Sequence, residues 1–321
     1  MIDYIHPIKI GNVQLENNVF LAPLAGVTDS AYRLMCKEYG AGLVYSEMIS
    51  SKGACYDSAK TLELADIKPG EHPCAIQIFG SEPDIMARSA VMFERMGAAM
   101  IDINMGCPMR KITSNREGSY LMLDTELVGR IVDSVANAVK IPVTVKMRRG
   151  YNMGEELAVE VALACEQNGA QAVTVHGRFR EQYYEGVSDR GIIAKVKKAV
   201  KIPVVGNGDV DGYESARSMM EETGCDAVMI GRSSMGDPHV FHRIINGHNN
   251  QLSLAEKAQV IKKHLAYSAA FKGETVAVRE MRKNLLWYVK GIKGAASLRN
   301  QLSRVSSIRE IEEAVDSIFT N

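Results

Sequence analysis

Ile101-Asp102-Ile103-Asn104-Met105-Gly106-Cys107-Pro108 is the stretch whose reading decides the fold. A short apolar run ends in a polar residue, then a glycine, then a cysteine held in front of a proline. The pattern is that of a buried strand delivering a thiol to a site at its C-terminal end. A cysteine there can be a nucleophile, a proton donor, a ligand, or simply a small apolar side chain. Working outward, runs of the same kind recur at Val19–Ala22, Leu43–Ser46, Ala75–Ile78, Met100–Ile103, Val143–Lys146, Ala172–Val175, Pro203–Gly206 and Ala227–Ile230, each followed by a helical pattern. Strands apolar on both faces and alternating with helices are parallel strands covered on both sides. Gly40, Gly97, Gly169 and Gly224 precede strands at the spacing of helix C-cap glycines.

Eight βα units within roughly 240 residues predict an α/β fold of the TIM (β/α)8 barrel type. A doubly wound open sheet is the structural rival. Its usual Gly-rich turn after strand 1 is replaced here by Ala22-Pro23-Leu24-Ala25-Gly26. Lys9–Val19, with Gly11-Asn12 between two apolar stretches, predicts a small hairpin before the barrel.

Beyond about Arg243 the strand signal stops. Ser253-Leu254-Ala255-Glu256 is a capping box that opens a helix running to about Phe271. A second helix is expected over Thr275–Ile292, a short third near Ala295–Leu302, and a last one opened by Ser307. The expected division is a barrel domain over 1–242 and a helical-bundle domain over 243–321.

The 321 residues, 46% hydrophobic, suffice for a large core plus a smaller one. The formal charge of zero hides an asymmetry. From Arg243 onward 13 Lys and Arg face 7 Asp and Glu, a net +6, so residues 1–242 carry 25 against 31, a net −6. The six cysteines form no CxxC pair and show no metal-ligand spacing, the usage of a reduced compartment. The N-terminus lacks a signal-peptide pattern, and no run approaches the ~18 apolar residues of a membrane span. A cytoplasmic protein without membrane or metal is expected.

In a barrel, functional groups gather at the C-terminal strand ends. Those ends read Ala22-Pro23, Glu47, Gln77, Asn104 with Cys107, Lys146, His176 with Arg178, Asn207 with Asp209, and Gly231-Arg232. Gly206-Asn207-Gly208 and Gly231-Arg232 follow strands 7 and 8, where backbone N–H groups commonly cradle a phosphate. A phosphate anchor beside Gln, Asn, Lys and His suits a flavin mononucleotide, with a lysine to stabilise negative charge on the reduced ring.

The ordered set Ala22–Asp29, Asn104–Pro108, Lys146-Met147-Arg148, His176-Gly177-Arg178, Asn207-Gly208-Asp209 and Gly231-Arg232 resembles the tRNA-dihydrouridine synthases, most of all the bacterial B-type branch. The resemblance spans roughly residues 8–300 and implies an FMN-binding barrel with a C-terminal tRNA-binding helical domain. It implies cofactor contacts at Ala22, Pro23, Leu24, Gln77, Lys146, His176, Asn207, Gly208, Asp209, Gly231 and Arg232. Asn104 and Arg178 would lie near the target base, and Cys107 would be the proton donor. NADPH would reduce the flavin, and the C5=C6 bond of tRNA uridines would become 5,6-dihydrouridine. Leu24, Asn115, Tyr120 and Asn284 depart from the commoner family residues. The remaining cysteines are expected to be structural.

On the second C-terminal helix, Arg279, Arg282, Lys283, Lys290 and Lys293 fall within about 60° of Arg279 at ~100° per residue. Val278, Met281, Leu285, Tyr288, Val289 and Ile292 fall on another arc, a core face. A one-sign stripe on an acidic body favours a polyanion and is the expected tRNA contact. It also separates this reading from a flavin enzyme of free pyrimidines, which needs no such surface.

Overall fold

The computed structural model describes residues 4–56, 59–292 and 302–319. Its centre is a parallel barrel of β3 (Val19–Leu21), β4 (Val44–Tyr45), β6 (Cys74–Phe79), β7 (Met100–Met105), β8 (Val143–Gly150), β9 (Ala172–Phe179), β10 (Val204–Asn207) and β11 (Ala227–Ile230). The strand order is β3-β11-β10-β9-β8-β7-β6-β4. A parallel bridge from Phe20 to Leu43, with Leu21 N–H donating to the Leu43 carbonyl at 2.9 Å, closes the ring. All eight strands expected from sequence are present, and the open-sheet rival is excluded by that closure.

The expected hairpin forms as β1 (Ile8–Ile10) against β2 (Val13–Leu15), antiparallel. Its Ile10 and Leu15 are fully buried in a cluster with Phe20, Leu43, Tyr45, Met100, Val205 and Met229. The hairpin therefore seals the end of the barrel interior opposite the strand C-termini. A short strand, β5 (Ile49–Ser50), also pairs β6.

The helices outside the strands are α1 (Ser30–Glu38), α2 (Ser51–Cys55), α3 (Ala59–Glu63), α4 (Pro83–Arg95), α5 (Arg110–Thr113), α6 (Thr125–Ala138), α7 (Ala158–Gln167), α8 (Arg190–Ala199), α9 (Tyr213–Thr223) and α10 (Val240–Ile245). Apolar side chains such as Phe93, Ile131, Val161 and Ile193 bury one stripe of each longer helix against the strands. Residue 243 lies inside α10, whose Val240, Phe241 and Ile244 belong to the barrel core.

The C-terminal helices are α11 (Leu254–Lys272), α12 (Glu274–Tyr288) and α13 (Ile308–Phe319). The Ser253 box forms in both directions, with Glu256 N–H donating to Ser253 Oγ and Ser253 N–H to Glu256 Oε2. Ile261, Leu265, Met281, Leu285, Ile311 and Val315 make one core, joined by Met35 of α1. Burying such a side chain is worth about 1.5–3 kcal/mol, so this core also glues the helical region onto the barrel. The second helix ends at Tyr288, short of the expected Ile292. The third expected helix lies almost wholly outside the described residues, as does Lys293.

Candidate active site

Strand register builds the site in layers. Gln77 of β6 sits level with Asp102 of β7, and Asp102 with Thr144 of β8. One layer up, Asn104 is level with Lys146. Arg148 pairs with His176, and His176 with Asn207. Because strand side chains alternate, Asp102–Asn104, Lys146–Arg148 and His176–Arg178 each share a face. The result is a cavity of about 930 Å3 at the C-terminal end of the barrel, within the range of cofactor sites.

A hydrogen-bonded relay runs through its floor. Thr144 Oγ1 donates to Asp102 Oδ1 at 2.6 Å, and Gln77 Nε2 donates to Asp102 Oδ2 at 2.7 Å. Asn104 Nδ2 donates to Gln77 Oε1 at 2.8 Å. Asn104 Oδ1 accepts the Gly106 and Cys107 N–H groups at 3.1 and 2.9 Å. A carboxylate at one end and two backbone donors at the other leave a single orientation for both amides. Asp102 thereby orients the turn that carries Cys107. Burial raises its pKa to about 6, against the lowering pull of Thr144, Gln77 and Lys146.

Cys107 is half-buried, and burial pushes its thiol up, outweighing the Met109 N–H and the charges of Arg148 and Lys146. A neutral thiol at the cavity wall is suited to donating a proton, whereas a nucleophile needs a depressed pKa. Its carbonyl accepts both Ser119 N–H and Ser119 Oγ, at 3.1 and 2.9 Å. Gly118 makes that approach possible: φ is +62°, and a Cβ would lie 3.0 Å from the Cys107 carbonyl oxygen.

Lys146 is held down to about 8, first by burial and then by the charge of Arg148. Its Nζ donates to Asn207 Oδ1 at 3.0 Å, while Asn207 Nδ2 donates to the Met229 carbonyl at 2.9 Å. Burial, then the charges of Lys146 and Arg148, hold His176 well below its ordinary pKa, so the ring is neutral. Arg178 Nη1 lies 3.2 Å from His176 Nε2. A guanidinium only donates, so Nε2 accepts and the proton resides on Nδ1.

Ala22, Pro23, Leu24, Gln77, Asn104, Cys107, Lys146, His176, Asn207, Gly208, Asp209, Gly231 and Arg232 all line the cavity. Arg178 does not. It is 2% exposed, and its guanidinium is spent on Asp209 at 2.8 Å, on the Glu185 and Gly186 carbonyls and on His176. Burial would raise the Asp209 carboxyl, but the Ser188 N–H and Arg178 hold it below the usual range. Asp209 thus braces the turn after β10 and aims no donor at an anion. Gly208 in that turn has φ +119°, and a Cβ there would meet Ser188 Oγ at 2.2 Å. Glu47 accepts the Gly26 N–H and lies outside the cavity lining.

From α12 and the turn after it, Lys283, Trp287 and Lys290 reach the cavity mouth. Arg279 is exposed elsewhere, and Arg282 is half-buried with Nε donating to the Val305 carbonyl at 2.8 Å. The stripe expected from sequence is therefore divided, with Lys283 and Lys290 at the cavity mouth and Arg279 and Arg282 outside its lining. Asp102 and Arg148 were quoted within motifs but given no role from sequence, and Tyr184 and Trp287 were not singled out. A carboxylate inside an apolar strand, and an arginine two residues past Lys146, were the signals that could have found the first two. Among the described residues, no group of three or more His, Cys, Asp or Glu is placed to hold a metal ion.

Residues 20–321 match the family described as dihydrouridine synthase (Dus). The tRNA-dihydrouridine synthase B of Pseudomonas aeruginosa is 41% identical over 304 residues, covering 93% of this chain and 91% of that protein. The chain belongs to the dihydrouridine synthase family. Other relatives include the tRNA-dihydrouridine synthase B of Vibrio cholerae, 37% identical over 98% of this chain and 99% of that protein. The probable tRNA-dihydrouridine synthase of Rickettsia conorii is 37% identical over 98% and 97%. Among solved structures, a variant of NCR from Zymomonas mobilis has a TM-score of 0.59 at 16% identity, covering 80% of this chain and 95% of that one. Histamine dehydrogenase from a Rhizobium species has a TM-score of 0.60 at 14% identity, covering 81% and 50%. These likenesses show that the Dus chain shares its barrel fold with them.

Proposed function

We propose that this chain reduces the C5=C6 bond of uridines in tRNA to 5,6-dihydrouridine, using FMN reduced by NADPH, in the cytoplasm. The observation that carries the reading is one cavity holding a protonated thiol, a buried lysine and a neutral histidine, with two lysines at its mouth. Family membership and relatives named for this activity support it. No helix among the described residues is long and apolar enough to cross a membrane.

The residues fit a flavin. Gly208, Gly231 and Arg232 stand where a phosphate would be held, and Gln77, Asn207, His176 Nδ1–H and Lys146 offer amide, imidazole and cationic partners to a ring. Bound there, FMN supplies hydride chemistry. Lys146 contributes positive charge in a water-poor site, where it counts most. Cys107 Sγ gives its proton to C5 of the uracil, and the relay from Asp102 through Gln77 and Asn104 holds its turn in place. Asn104 faces the base edge, while Arg178 acts through His176 and Asp209. Residues 243–321 hold the RNA, Lys283 and Lys290 meet phosphates, and the uridine leaves its stack to enter the cavity.

Cys107→Ala tests the reading. The variant is expected to bind FMN and tRNA and be reduced by NADPH, yet to form dihydrouridine at least a hundredfold more slowly, as loss of a general acid implies. Normal turnover by Cys107→Ala removes the thiol from the reaction, and a protein that cannot be loaded with FMN removes the flavin.

A further inference from the structure

The turns after β7, β8 and β9 carry a run of alternating rings and cations. The Tyr120 and Tyr151 rings meet edge to face at 5.6 Å. The Arg180 guanidinium lies 5.0 Å from the Tyr151 ring and 5.9 Å from the Tyr183 ring. Next along the chain is Tyr184, with the Arg232 guanidinium 4.6 Å and that of Arg148 5.7 Å from its ring. Tyr184 lines the cavity, so the run is continuous with the candidate active site. Tyr183 and Tyr184 are 38% and 47% exposed, and Arg180 Nε is buried without a hydrogen-bond partner.

The loop bearing these rings is held in place from below. Arg148 Nη1 donates to the Phe179 and Tyr183 carbonyls at 3.0 and 2.9 Å, and its Nε to the Gly106 carbonyl at 2.8 Å. Arg178 holds the Glu185 and Gly186 carbonyls. Tyr183 adopts φ +49°, a left-handed conformation that non-glycine residues take when the surroundings impose it. Two buried arginines thus keep large aromatic surfaces exposed at the cavity mouth.

We propose that this strip, Tyr151, Arg180, Tyr183 and Tyr184, stacks unpaired nucleobases of the RNA substrate beside the extruded uridine. The proposal rests on the tRNA reading above. Rings interleaved with arginine suit base faces of any sequence. The sector is not strongly basic: Glu155 and Glu181 lie on the same loops, tied to Asn152 Nδ2 and Met153 N–H. Its grip is therefore stacking, in contrast to the phosphate contacts expected of Lys283 and Lys290 across the mouth.

The test is equilibrium binding of unmodified tRNA to the FMN-loaded full chain at about 50 and 200 mM salt. Combining Tyr151→Leu, Arg180→Lys and Tyr183→Leu, which removes the flat faces and keeps the charge, is expected to weaken binding about tenfold or more, by a similar factor at both salts. NADPH should reduce its flavin at the wild-type rate. Tyr151→Phe with Tyr183→Phe keeps the rings and is expected to keep the affinity. Should the triple variant fail to load flavin, Tyr183→Leu alone, at an exposed position, is expected to lose affinity severalfold. Wild-type affinity in the Leu variants, or equal loss in the Phe variant, overturns the strip and leaves the functional reading standing. A wild-type chain that does not bind tRNA overturns both.

Discussion

Cys107 and Lys146 share a cavity wall but respond to pH at different points. Burial raises the thiol, which therefore stays protonated through neutrality and beyond the ordinary cysteine pKa of about 8.5. Lys146, held down to about 8, loses its charge first as pH rises. Uridine reduction in a single turnover is expected to decline from near pH 8. In Lys146→Arg the decline is expected to move upward, because a guanidinium keeps its charge. A pH profile that Lys146→Arg leaves in place would assign the decline to another group.

Helix α11 is where the helical region is seated on the barrel. His264 lies with its ring 5.3 Å from Tyr32 of α1, and its Nδ1 is 3.1 Å from the Tyr288 hydroxyl of α12. Lys272 pairs with Asp29 at 2.5 Å and Lys263 with Glu38 at 2.8 Å. Burial lowers the His264 pKa to about 4, so the unfolded chain takes up this proton first as pH falls below about 6.5. Stability is lost between about 6.5 and 4, by on the order of 3 kcal/mol. Asp102 works in the opposite sense, since its raised pKa makes the folded chain the better proton binder as pH falls from about 6. The quantity to measure is thus the difference in Tm between wild type and His264→Phe. That difference is expected to shift in favour of the variant from pH 7 to pH 4, and a constant difference would show that His264 titrates alike in the folded and unfolded chain.

At the scale of the whole molecule, an acidic barrel and a basic helical region meet at one mouth. Lys262, Lys263 and Lys272 of α11 are neutralised by Asp316, Glu38, Asp29 and Glu280, which leaves Lys283 and Lys290, among the described residues, as the basic residues facing the cavity from that side. Lys283→Glu with Lys290→Glu is expected to weaken tRNA binding most at low salt. It should also flatten the dependence of log Kd on log salt by about two, because each lysine neutralises one phosphate. Flavin loading would serve as the check on folding, and an unchanged slope would show that neither lysine meets a phosphate.

The eight strands, the hairpin and the Ser253 helix start were legible because each depends on local patterning: apolar runs, a Gly-Asn turn, a capping box. Cys107, Lys146, His176 and Asn207 were legible as strand-end residues for the same reason, since closing the barrel brings all strand ends to one rim. The end of α12 was misjudged because the apolar arc continues past Tyr288 while the backbone bonds tighten to three-residue turns, Lys290 N–H donating to the Trp287 carbonyl and Ile292 N–H to that of Val289. Other features belong to tertiary structure alone. The family resemblance placed Arg178 near the target base, but the approach of Asp209 and two loop carbonyls engages its donors. Sequence left Asp102 as one more strand residue, but register sets it opposite Gln77 and Thr144 and makes it the anchor of the Cys107 turn. Which side chains form the rim was written in the sequence. Which donors remain free was decided by the fold, because each hydrogen bond needs a partner brought within about 3 Å from a distant part of the chain.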